Sequence, residues 1–179
     1  MCDQNQNYEN AEVVVLIGTD RPGSNTSAVA EQLTNAYKQA GLSVSLYDVA
    51  DFGADFYAPT AYGEKPAAFN HFNQAVLNAQ VVVIVTPEYN ATVPAPLTRV
   101  INLLSYPDSF QNKNFVIVSV SIGQWGGTRA HAQLKKTLTD LHGVVTDAND
   151  LTLGEVHTIA ENAPLYKQHA EDIVALISA

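Results

Sequence analysis

The stretch Val81-Val82-Val83-Ile84-Val85, followed at once by Thr86-Pro87-Glu88-Tyr89-Asn90, decides the fold. Five consecutive β-branched apolar residues leave no polar face. Such a strand has to be covered on both sides, which is the condition of a parallel sheet with helices on each face. Working outward, Val13 to Ile17 repeats the pattern and ends at Gly18, and Phe115 to Val120 repeats it again. Between these runs the apolar spacing changes to that of a helix. Val29, Leu33, Ala36 and Ala40 mark a first helix that Gly41 stops, and Phe69, Phe72, Val76 and Ala79 a second. Leu97, Val100, Ile101 and Leu104 mark a third, and Ala130, Leu134, Leu138 and Leu141 a fourth with Gly143 past its end. Tyr166, Ala170, Ile173, Val174 and Ile177 mark the last. Val44 to Tyr47 adds a strand, and a weak fifth strand falls within Val144 to Leu153. Residues 51 to 65 are aromatic without a period and read as a loop. Strand–helix alternation of this kind predicts an α/β domain with a parallel sheet between two helical layers.

The 179 residues suit one domain spanning 1–179, with a polar, flexible leader over 1–10. A chain this long buries roughly 70% of its unfolded surface and needs no staple. The lone Cys2 cannot form an intrachain disulfide and reads as an exposed tail residue. The leader lacks a basic segment followed by an apolar run, and no apolar stretch approaches the roughly 20 residues of a membrane helix. The expected location is cytoplasmic. Nine Lys and Arg against eighteen Asp and Glu give a net charge of −9, which disfavours nucleic acid and anionic membranes as partners. His71, His131, His142, His157 and His169 form no i,i+4 pair, so no metal site is expected.

Ligands of open parallel sheets bind beyond the carboxyl ends of the strands. The first loop there, Gly18-Thr19-Asp20-Arg21-Pro22-Gly23-Ser24-Asn25-Thr26-Ser27, combines hydroxyls, one Arg and a helix start. It suits a phosphate, held by helix N–H groups, hydroxyls and Arg21. Ser24, Asn25 and Thr26 suit helix capping equally well. It is neither a Walker loop nor a G-x-G-x-x-G turn. The second loop, Thr86 to Pro94, is a rigid turn that could line a flat heteroaromatic ligand or simply be a well-made turn. The third, Ser119 to Arg129, carries three glycines and the only Trp, Trp125. Its glycines allow backbone to approach a ligand, and Trp125 suits either ring stacking or interface packing.

Together the three loops resemble the NAD(P)H-dependent FMN reductase family of the flavodoxin-like superfamily, over roughly Val13 to Leu141. That family reads Gly-Ser-x-Arg-x-x-Ser-x-Asn after its first strand. Here Gly18, Arg21 and Ser24 match, while Thr19 and Thr26 replace Ser and Asn. Pro87-Glu88-Tyr89-Asn90 is intact, Pro94 and Leu97 follow at the family's spacing, and Gly126-Gly127-Thr128-Arg129 matches. The resemblance implies a flavodoxin-like three-layer sandwich with a five-stranded parallel sheet in the order 2-1-3-4-5. It implies that Thr19, Arg21, Ser24, Asn25 and Thr26 hold the FMN phosphate and that Pro87, Glu88, Tyr89 and Asn90 meet the ring. Ser121, Gly123, Gln124, Trp125 and Gly126 would form the opposite wall. It further implies hydride transfer from NADPH or NADH through FMN to a small-molecule acceptor, without a protein acid or base, in a homodimer or homotetramer.

The helix Leu97-Thr98-Arg99-Val100-Ile101-Asn102-Leu103 departs from the family's Leu-Lys-Asn-Ala-Ile-Asp-Trp, at positions that bear on the acceptor and the assembly. Two alternatives remain open from sequence: a quinone or azo-compound reductase, and a flavodoxin-like binding module without turnover. Asp20 and Asp48 also suggest a response-regulator acid pocket. That reading lacks the Asp required after the third strand, where Thr86-Pro87 stand, and the required later Lys.

Overall fold

The computed structural model describes residues 12–156 and 162–179. Cys2, the leader over 1–10 and His157 lie outside the described residues. The elements in chain order are β1 (Val13–Ile17), α1 (Asn25–Gln39), β2 (Val44–Asp48), α2 (Ala67–Asn78) and β3 (Val81–Pro87). Then follow α3 (Ala95–Leu103), β4 (Asn114–Val120), α4 (Thr128–Asp140), β5 (Val144–Val145), β6 (Leu151–Leu153) and α5 (Ala163–Ser178). All strand pairs are parallel, in the order β2-β1-β3-β4-β5, with β6 also paired to β4.

The alternation of side chains along each strand builds two cores. Val14, Leu16, Val82, Ile84, Phe115 and Ile117 face α2, α3 and α4 through Phe72, Val76, Leu97, Val100, Leu134 and Leu138. Val13, Val15, Val81, Val83, Val116 and Val118 face α1 and α5 through Val29, Leu33, Tyr37, Tyr166 and Ile173. Every residue of β1 and β3 is buried. Each buried valine or isoleucine side chain contributes roughly 1.5–3 kcal/mol of transfer free energy, so the uninterrupted apolar strands are the main driving force for this topology.

Two expectations are corrected. The fifth strand is two fragments, β5 and β6, separated by a 3-10 turn over Asp147–Asn149. Between them Asp150 replaces a strand residue: its Oδ1 accepts from the Ile117 N–H at 2.8 Å. Its Oδ2 lies 3.1 Å from His131 Nε2. Residues 51 to 65 are not an open loop. With Val49 and Ala50 before them they form 3-10 turns over Val49–Phe52, Ala54–Tyr57 and Pro59–Tyr62. Phe52 and Phe56 are buried against Phe69 and Phe72, so their aromatics serve the core; turns this short have no repeat to show in sequence. Past the end of α4, His142 takes the left-handed conformation (φ 70°) and Gly143 follows it, as expected. Gly143 is needed for space, since a Cβ there would meet Phe115 at 2.8 Å.

Candidate functional site

The loops after β1, β3 and β4 meet at the carboxyl end of the sheet because the strands that carry them are adjacent or one apart. Direct bonds tighten the meeting. The Gly18 N–H donates to the Val85 carbonyl at 2.8 Å, joining the tops of β1 and β3. The Thr19 hydroxyl, fully buried, is 3.1 Å from the Tyr89 hydroxyl and accepts from the Arg21 N–H at 3.3 Å. Thr19 is therefore a staple between the first and second loops.

Ser24 is the N-cap of α1. Its hydroxyl accepts from the Ser27 N–H at 3.1 Å and lies 2.8 Å from the Ser27 hydroxyl. The Ala28 N–H reaches the Ser24 carbonyl. The first N–H groups of a helix have no partner within it. Those of Asn25 and Thr26 stay without an acceptor among the described residues, and Arg21, exposed beside them, has no ion pair there. Two free amides at a positive helix end and an unneutralised guanidinium form a donor set for an anion.

The second loop is a tight reversal. Tyr89 and Thr92 exchange both backbone hydrogen bonds at 3.1 Å, and Asn90 and Ala91 both sit in the left-handed region (φ 52° and 64°). That is the backbone of a type I′ turn, in which Asn is favoured at the first position. The turn is fastened to α4. The Gln133 side-chain oxygen accepts from the Thr92 hydroxyl at 2.6 Å and the Val93 N–H at 3.1 Å. Glu88 is fastened there too. Its carboxylate accepts from the Arg129 and Ala130 N–H groups at 2.9 and 3.2 Å and from Arg129 Nε at 2.9 Å. Gly127, the N-cap of α4, has no side chain to do this. Glu88 thus caps α4 from another element. Burial would raise its pKa, but the Arg129 guanidinium and the two amides outweigh that and hold it below the ordinary carboxylate value.

The third loop is bound to the end of β6. The Ser121 N–H donates to the Leu153 carbonyl at 2.9 Å, and the Val156 N–H to the Ser121 carbonyl at 3.3 Å. Gly126, at φ 59°, lies so close to this segment that a Cβ would meet Thr152 at 2.5 Å. Its lack of a side chain serves packing and backbone shape. Trp125 is 69% exposed and Ile122 75%.

Between the loops is a cavity of about 390 Å³, within the range of small-molecule sites. Of the residues expected from sequence, Arg21, Ser24, Asn25, Thr26, Pro87, Glu88, Tyr89 and Ser121 line it. Thr19 supports it from beneath. Asn90 instead borders a shallower neighbouring depression with Thr98, Arg99 and Asn102, on the helix that departs from the family pattern. Gly123, Gln124, Trp125 and Gly126 do not line the cavity. Gly23, Val120, Ile122 and Val156 do, and were not expected. Val120 was legible as the last residue of a strand; Val156 comes from a distant segment that no local signal ties to the site. A larger cavity, about 770 Å³, lies between α1 and α5, away from the strand ends. We place the site at the smaller one because the free donors converge there.

Arg99 holds the 3-10 turns against α3, donating to the Phe56 and Ala58 carbonyls at 3.1 and 2.8 Å and lying 4.3 Å from the Tyr62 ring centre. Tyr57 donates to Asp20 at 3.1 Å; burial and that carboxylate push its phenol up to about 12. Among the described residues no group of three or more His, Cys, Asp or Glu could hold a metal.

A doubly wound parallel sheet with an anion-binding helix start and a ring-sized cleft at its carboxyl end defines a nucleotide- or flavin-binding α/β protein. The model of the NADPH-dependent FMN reductase family matches residues 11–158, and the chain belongs to that family. A quinone reductase of Escherichia coli K12 is 31% identical over 153 residues, 83% of this chain and 80% of its own. An NAD(P)H-dependent FMN reductase of Pseudomonas aeruginosa is 29% identical over 139 residues, 75% of this chain and 74% of its own. Among solved structures, the flavoenzyme NAD(P)H:(acceptor) oxidoreductase of Paracoccus denitrificans superposes with a TM-score of 0.78 at 18% identity, over 94% of this chain and 97% of that one. A flavodoxin from the domain Archaea gives 0.62 at 15%, over 93% and 98%. The fold is flavodoxin-like, and the protein is an FMN-dependent oxidoreductase that takes hydride from NAD(P)H and reduces an acceptor such as free flavin or a quinone. Among the described residues, no helix is long and apolar enough to cross a membrane.

Proposed function

We propose that FMN lies in the 390 Å³ cavity, with its phosphate on the free amides of Asn25 and Thr26 and on Arg21, and its ring beside Pro87 to Tyr89. The observation that carries this reading is the convergence of those unpaired donors on a cleft whose other side is a rigid, aromatic turn. Ser24 and Thr19 act by shaping the loop, their hydroxyls already being engaged. The backbone of Val120 to Ile122 forms the opposite wall, and Trp125 stands outside it, exposed. When bound, FMN accepts hydride from the nicotinamide and hands electrons to the acceptor. The residues bind, orient and exclude water; none is assigned as acid or base. The chain works as one domain over 1–179, in the cytoplasm, as a homodimer or homotetramer acting on a small molecule and on no nucleic acid. Purified protein is expected to be yellow, or to become so with FMN, and to bleach anaerobically on adding reduced nicotinamide dinucleotide. A colourless protein that takes up no FMN refutes the reading. Steady-state assays with FMN, a quinone and an azo dye identify the acceptor class, and light scattering gives the assembly.

A further inference from the structure

We infer that Gln133, which lines neither the cleft nor the depression beside it, is a positioning residue for the flavin: it holds the turn after β3 in a strained shape that the turn alone would leave. This role rests on the placement of FMN proposed above. Asn90 and Ala91 are the two central residues of the turn, and both are left-handed. Asn tolerates that conformation at the first position. Glycine is the usual second residue, because in a left-handed residue a Cβ crowds the following carbonyl oxygen. Ala91 carries that Cβ. A residue strained in this way stays in place only where its surroundings overdetermine it.

Those surroundings can be named. Tyr89 and Thr92 flank the strained pair and exchange backbone bonds at 3.1 Å in both directions. Both bonds belong to the turn itself. A turn with Ala91 at negative φ cannot keep them both, since its twist splays the two ends. Holds from outside the turn therefore decide its shape. On the incoming half, the Tyr89 hydroxyl is tied to the buried Thr19 hydroxyl, and the Glu88 carboxylate to the Arg129 and Ala130 N–H groups. On the outgoing half, the side-chain oxygen of Gln133 accepts from both the Thr92 hydroxyl, at 2.6 Å, and the Val93 N–H, at 3.1 Å. The Val93 side chain is buried, but apolar packing is non-directional and does not orient an N–H. Gln133 is itself firmly placed, on α4 between Ala130 and Leu134, both fully buried. One helix thus grips both halves of the turn. Tyr89, between the two grips, lines the cleft and borders the neighbouring depression. Releasing Thr92 loosens the backbone bonds of Tyr89 and with them the wall beside the ring.

The experiment titrates FMN into flavin-free wild type, Gln133→Leu, and Gln133→Leu combined with Ala91→Gly, reading flavin fluorescence quenching. Urea unfolding of the same flavin-free proteins runs alongside. Gln133 is exposed, and leucine is of similar size but accepts no hydrogen bond, so the variant keeps the fold. Gln133→Leu is expected to raise the Kd for FMN about fivefold or more, because only the fraction of molecules with the turn in shape binds. Adding Ala91→Gly is expected to bring Kd back to within about twofold of wild type, since glycine takes the left-handed conformation without a clamp. An unchanged Kd in Gln133→Leu, with only the unfolding midpoint lowered, overturns this role and leaves Gln133 as framework. A raised Kd that Ala91→Gly does not recover overturns it too, since Gln133 would then act on FMN other than through the turn. Wild type that binds no FMN brings down the proposed function and this role together. Wild type that binds FMN, with Gln133→Leu equal to it, brings down this role alone.

Discussion

Glu88 shows how one side chain can be lining and framework at once. It borders the cleft, yet its hydrogen bonds all go to α4. Arg129 is 67% exposed, so their ion pair is worth little, and most of the stabilisation comes from the two capped amides. Glu88→Ala is expected to cost about 2 kcal/mol by equilibrium denaturation, and Glu88→Gln, which keeps an acceptor oxygen, less. The sign of the pH dependence follows from its lowered pKa. Its contribution is full above the unfolded value of 4.5 and fades as pH falls through the lower folded value. The gap between wild type and Glu88→Gln is therefore expected to shrink in acid. Arg21→Ala removes a charge-assisted contact and is expected to weaken FMN binding tenfold or more, read by flavin fluorescence quenching, with folding stability unchanged. Ala91 holds a left-handed backbone without being Gly or Asn. Ala91→Gly is expected to stabilise the protein by about 0.5–1 kcal/mol, the relieved strain exceeding glycine's extra chain entropy.

The broken fifth strand governs the third loop. Asp150 fills the gap in the ladder beside the fully buried Ile117 and fixes where β6 begins; β6 in turn holds Ser121 and packs on Gly126. Asp150→Ala leaves the Ile117 N–H buried without an acceptor. It is expected to cost about 2–3 kcal/mol, measured by denaturant unfolding. At the other face, α5 is fastened through His169, which bonds the Tyr37 hydroxyl at 2.8 Å and the Asn149 carbonyl at 2.9 Å. Burial holds this imidazole below its ordinary 6.5. The unfolded chain therefore takes up a proton first as pH falls. Stability is expected to drop as pH goes below about 6.5, and a His169→Phe variant to lose that part of the dependence.

At the scale of the whole molecule, the site is an open end of a rigid sheet. Strands buried on both faces fix the three loop stems, so ligand binding adds to a stability already set by two cores. FMN that binds only the folded state is expected to stabilise it by about 2.7 kcal/mol at a hundred times its Kd, seen as a rise in melting temperature.

Strand identity was legible in the sequence because runs such as Val81–Val85 admit no solvent-facing side, and the helices because their apolar period is 3.6. The turn at Pro87 to Asn90 and the capping role of Ser24 were legible too, since both are local. Other features required the tertiary structure because they join residues far apart in the chain. Glu88 reaches α4 across forty residues, and Asp150 completes a ladder begun at Ile117. Phe52 and Phe56 enter the core from turns without a period. The sequence by itself determined a parallel sheet and which ends carry the ligand loops. Only the tertiary structure decided which donors at those ends stay free for a ligand, because a donor is free only if no distant group has already taken it.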